Sequence, residues 1–90
     1  MSLDLTHQAL VHFSRQLEEF DTSLRASYRE LRAHHDAIDA LWRDEARRTY
    51  DRSMAEIESR LSRYLGGECE RYEEFMRQKL RQLEGFLHGS

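Results

Sequence analysis

The sequence predicts an all-α protein, an antiparallel two-helix hairpin that pairs with a second hairpin into a four-helix bundle. Three observations lead there. The 90 residues include no proline and only four glycines, so little interrupts a helix. Apolar residues recur at three- and four-residue spacings along most of the chain. Runs of β-branched residues and Asn-Gly or Asp-Gly turns are missing, so strand signals are scarce. A single thin hairpin of this length buries little surface, and a second chain is expected to complete the core.

Helix 1 is expected over about residues 5–40. Leu3, Leu10, Leu17, Leu24, Leu31 and Ile38 are spaced by seven. Thr6, Phe13, Phe20, Ser27, His34 and Leu41 form a companion row three residues further on. Alternation of three and four is the pattern of a coiled-coil seam. Asp4 or Thr6 is expected to cap the start.

A turn is expected at about residues 41–44. His34 and His35 suit a last helical turn, Asp44 suits an N-cap, and Glu45 suits a first turn. Spacing alone also permits one continuous helix through this region, roughly 125 Å long, as a purely structural coiled-coil rod.

Helix 2 is expected over about residues 45–87, so that residues 1–90 form a single hairpin domain. Here Tyr50, Leu61, Tyr72 and Leu83 are spaced by eleven, as are Met54, Leu65, Met76 and Leu87. Ala46, Ile57, Cys69 and Leu80 fill the same stripe. An eleven-residue period predicts a nearly straight helix. Gly66-Gly67 is expected to weaken this helix without ending it. The association seam then comprises Leu10, Phe13, Leu17, Phe20, Leu24, Leu31 and Ile38 from helix 1, with Ile57, Leu61, Leu65, Tyr72 and Met76 from helix 2.

Charge and composition exclude several functions. Fourteen basic and seventeen acidic residues are interspersed, with net charge −3, so there is no basic face for nucleic acid. No apolar stretch is long enough for a membrane span. The start has no n-region and h-region, so the chain is expected to be cytoplasmic before export and, where secreted, to leave without a Sec signal peptide. Cys69 falls on the apolar stripe as a small hydrophobe. His34, His35, Asp36 and Asp39 have no second cluster to complete a metal site. Arg43, Arg47, Arg48 and Arg52 read as a solvated, ion-paired face. No catalytic, cofactor-binding or metal residues are assigned, and no enzyme activity or cofactor is expected.

The stretch Trp42-Arg43-Asp44-Glu45-Ala46-Arg47-Arg48-Thr49-Tyr50 resembles the centre of the WXG-motif family, the early-secreted-antigen-like proteins of type VII secretion. Those are helical hairpins of about this length. Their central Trp-x-Gly makes the bend, with a small residue and then an aromatic early in helix 2. Trp42, Ala46 and Tyr50 match that layout, and Asp44 stands in place of the glycine. The resemblance implies a small secreted protein of a type VII (ESX-like) system, or the helical partner of one. Its partners would be a second copy or a paralogous hairpin, together with a secretion ATPase or a larger cargo. It also implies a Tyr-x-x-x-Asp/Glu export signal, which Tyr64 and Glu68 match in letters. A chain with four tyrosines and seventeen acidic residues also reaches that spacing by chance. The alternative is an intracellular coiled-coil adaptor or export chaperone with no secretion of its own, working through the same amphipathic faces.

Overall fold

The computed structural model describes residues 2–88. Helix α1 is Leu3–Asp39, α2 is Glu45–Arg63 and α3 is Cys69–Leu87; a π-helical turn, Tyr64–Glu68, joins α2 to α3. No strand occurs among the described residues. The chain reverses once, between Asp39 and Glu45, giving a hairpin of 65 × 20 × 16 Å across its Cα positions. That length corrects the continuous-rod alternative. The reversal is local chemistry: the Ile38 carbonyl accepts from both the Leu41 and Trp42 amides at 3.0 Å, and Asp44 caps α2.

At the other end Ser2, not Asp4 or Thr6, caps α1. Its hydroxyl accepts from the Leu5 amide at 3.4 Å. Asp4 lies in the first turn, where its charge complements the helix dipole. Thr6 donates its hydroxyl back to the Ser2 carbonyl.

The face that α1 turns to the other arm differs from the expected one. The row Leu10, Leu17, Leu24 and Ile38 is half-buried, as expected, while Leu31 stays exposed. The row that completes the internal seam is His7, Ser14, Asp21, Tyr28 and His35, none of which is exposed. Four of these five bond across the hairpin. His7 Nε2 pairs with Glu84 Oε1 at 3.1 Å, and Asp21 Oδ1 accepts from the Tyr64 hydroxyl at 2.6 Å. Tyr28 and Ser62 share a hydroxyl bond of 3.3 Å, and His35 Nδ1 meets the Tyr50 hydroxyl at 3.2 Å. Such directional pairs specify register at some expense in stability. Phe13 and Phe20 lie on the far flank of the leucine row, 51% and 57% exposed.

The second arm also departs from its expected period. Its inward row is Arg47, Met54, Leu61, then Cys69, Met76 and Leu83. These are sevens with one eight, between Leu61 and Cys69. The π turn absorbs the extra residue: the Cys69 amide reaches back five residues to the Tyr64 carbonyl. The eleven-residue repeat is therefore two heptad stretches joined by a one-residue skip. Ala46, Ile57 and Tyr72, which the longer period would place inside, are exposed.

The arm continues through Gly66-Gly67, and Gly67 alone leaves helical dihedrals, at φ 177° and ψ −34°. A Cβ at Gly66 would meet nothing within 4 Å. Gly66→Ala is expected to raise the unfolding free energy by about 0.5–1 kcal/mol, because alanine loses less backbone entropy. Urea denaturation followed by circular dichroism checks this.

The core is thin. Among the described residues only Met54 and Cys69 are buried apolar side chains. The chain exposes 7192 Å², whereas a compact protein of 10.8 kDa exposes about 5,500 Å². Among the described residues no helix is long and apolar enough to cross a membrane.

Candidate functional site

The bend is built from Trp42, Asp44, Arg47 and Tyr50. Asp44 has extended backbone, φ −87° and ψ −178°, a conformation that does not require glycine. Its Oδ1 accepts the Arg47 amide at 3.3 Å, which is the N-cap of α2, and also the Trp42 indole N–H at 2.8 Å. A glycine would do neither. Asp44 thus holds the indole against α2, where the ring lies 5.0 Å from that of Tyr50. Tyr50 in turn stacks on His35 of α1 at 5.6 Å, so an aromatic chain links the two arms.

Of the expected solvated, ion-paired arginine face, Arg43, Arg48 and Arg52 are exposed, whereas Arg47 is ion-paired but buried. It is only 8% exposed. Its Nε donates to Asp51 Oδ1 at 2.7 Å, its Nη2 to Asp39 Oδ1 at 2.7 Å, and its Nη1 to the Trp42 carbonyl at 2.9 Å. Asp51 and, next, Asp39 raise its pKa further and hold it charged. The guanidinium ties the end of α1, the loop and the start of α2 together. The sequence signal for this was Asp51 at i+4; the bond back to Asp39 exists only once the chain reverses.

Trp42 is half-buried at the tip, while its neighbour Leu41 is 85% exposed. Leu41 is the large apolar side chain that the bend displays. Ala46 is exposed on the first turn of α2.

Tyr64 and Glu68 bound the π turn near the middle of the second arm. The Tyr64 hydroxyl is committed to Asp21, and donation to that carboxylate pushes its pKa well above the ordinary tyrosine range. Glu68 is half-buried. Nearby, burial first, and then the Asp21 and Glu18 carboxylates, push the Glu73 carboxyl up from its ordinary value. In the folded hairpin Tyr64 therefore holds the arms together.

The remaining feature is an open apolar side. Phe13 and Phe20 stand three residues beyond Leu10 and Leu17; Tyr72 and Phe86 stand three beyond Cys69 and Leu83. In antiparallel arms these two flanks face the same way. Tyr72 is 56% exposed and Phe86 79% exposed. The opposite side carries polar pairing, with Arg77 Nη1 3.5 Å from Glu18 Oε1. Of the association-seam residues, Leu10, Leu17, Leu24, Ile38, Leu61, Leu65 and Met76 are half-buried between the arms. Phe13, Phe20, Leu31, Ile57 and Tyr72 remain exposed.

Compared with family models, curated proteins and solved structures, the chain matches none.

Proposed function

We propose that this chain is a WXG-like helical-hairpin protein of a type VII (ESX-like) secretion system, a secreted substrate or the helical partner of one. It acts by binding. The observation that carries the reading is a hairpin bent at Trp42-x-Asp44 whose apolar side is left open. The bend supports it because Asp44 serves as N-cap and also anchors the indole, so the chain turns here without a glycine. The open side supports it because exposed surface exceeds that of a compact chain by about 1,600 Å², more than the roughly 800 Å² each partner contributes to a standard interface. A second copy, or a paralogous hairpin, laid on Phe13, Phe20, Tyr72 and Phe86 gives a four-helix bundle. Leu41 and the Trp42 edge at the tip are the surfaces that a secretion ATPase or cargo would read.

Small-angle scattering combined with light-scattering mass tests the assembly. A two-chain particle about as long as the 65 Å hairpin supports self-pairing. A folded single chain overturns self-pairing and directs the search to a paralogue. Export is tested in a bacterium carrying a type VII system. Appearance of the protein in the medium, dependent on the secretion ATPase, supports the secretion reading; strict retention overturns it in favour of the intracellular adaptor.

A further inference from the structure

At mid-hairpin the polar seam holds one group that the fold does not satisfy. Asp21 is 2% exposed. Its Oδ1 accepts from Tyr64, but its Oδ2 is buried with no hydrogen-bond partner. Leaving a buried carboxylate oxygen unpaired costs on the order of 1–3 kcal/mol, more when charged, so such an atom calls for a ligand. Beside it lie the fully buried thiol of Cys69 and the half-buried carboxyl of Glu73. One donor atom from each of Asp21, Cys69 and Glu73 lies within 4.8 Å of the other two.

We propose that Asp21, Cys69 and Glu73 bind a zinc ion that clamps α1 to α3 beside the π turn. Cys69 and Glu73 are four residues apart, so α3 presents both from one face. Asp21 closes the set from the other arm. One thiolate and two carboxylates suit zinc, which takes sulfur at about 2.3 Å and carboxylate oxygen at about 2.0–2.2 Å. In tetrahedral geometry those bonds put the donors about 3.5 Å apart, a small contraction of the present cluster. The fourth position falls to water. The hard cations calcium and magnesium prefer oxygen-only sets of six or more ligands, which this site lacks.

Arg25 supplies positive charge there now. Its Nη2 donates to the Leu65 carbonyl at 3.2 Å and sits 3.6 Å from Cys69 Sγ. Arg25 is on an exposed part of α1, so it turns to solvent when the ion enters. The Cys69 thiol proton leaves to solvent on binding, and no redox change is involved.

The test uses the full chain, stripped with a chelator, and titrated with cobalt and with zinc. The expected result is one ion per chain, a thiolate-to-cobalt charge-transfer band, and a higher melting temperature with zinc. Cys69→Ser is expected to abolish the band, and Asp21→Asn to weaken zinc binding by about 100-fold. The asparagine keeps an oxygen for the Tyr64 hydroxyl, and circular dichroism verifies that both variants are helical. Absence of saturable binding, or binding that survives both substitutions and so belongs to the histidines, overturns the proposal. The outcome is independent of the secretion reading, which rests on the bend and the open side.

Discussion

Replacing Phe13 and Phe20 together with glutamate is expected to split the proposed two-chain assembly into single chains while the helices persist. Both rings are about half exposed in the hairpin, so each has about 100 Å² left to bury against a partner, worth about 2.5 kcal/mol. In a two-fold assembly both rings count on each chain. After ordering and desolvation costs take about half, a loss of about 5 kcal/mol remains, more than a thousandfold in the dissociation constant. Light-scattering mass across a concentration series checks this. A parallel change on the opposite side, Glu18→Gln, removes only a surface pair and is expected to leave the mass unchanged. Equal masses for the double phenylalanine variant and the wild type would move the interface away from this side.

Trp42→Ala is expected to produce the largest loss of stability from a single change at the tip. It removes the ring packed on Tyr50 and the indole bond to Asp44. Truncating a fully buried tryptophan costs about 3–5 kcal/mol. Half-burial here reduces that to about 2–3 kcal/mol, a fall of about 10–15 °C in melting temperature for a chain of this size. Trp42→Phe retains an aromatic against Tyr50 and loses only the N–H bond, an expected cost of about 1 kcal/mol. The pair of variants separates two roles. A tip that only closes the hairpin tolerates phenylalanine in an export assay. Under the proposed secretion role, a tip whose indole is read by the export machinery loses export with phenylalanine while melting nearly as before.

Much of the candidate site was legible because it is local. The spacing from Trp42 to Tyr50 and the cap at Asp44 depend on neighbours within one or two turns. The burial of Arg47 was not legible, since its bond to Asp39 forms only across the finished bend. Asp21 gave no signal at all: an aspartate in a polar stretch of helix 1 reads as a solvent residue. Its burial depends on Tyr64, forty-three positions later. The second arm shows a different difficulty. A heptad with one inserted residue and an eleven-residue repeat share several apolar positions, so period alone favours the wrong one. The π turn that separates them is recognisable only from which side of the helix is covered.

The sequence by itself determined that the chain is helical and pointed to a bend at about residues 41–44 without excluding one continuous helix. Both follow from short-range physics: residue propensity, the three-four spacing of apolar groups, and a carboxylate placed to cap a helix. Tertiary structure decided which flank of the leucine row turns inward. The phenylalanine row and the His7-Ser14-Asp21-Tyr28-His35 row border the leucines at equal angles, so helical periodicity cannot choose between them. Cross-helix partners choose: Glu84, Tyr64, Ser62 and Tyr50 meet the polar row at hydrogen-bonding distance. Buried polar groups seek partners, and pairing four of the five residues in that row leaves the phenylalanines on the outside, where a second chain can cover them.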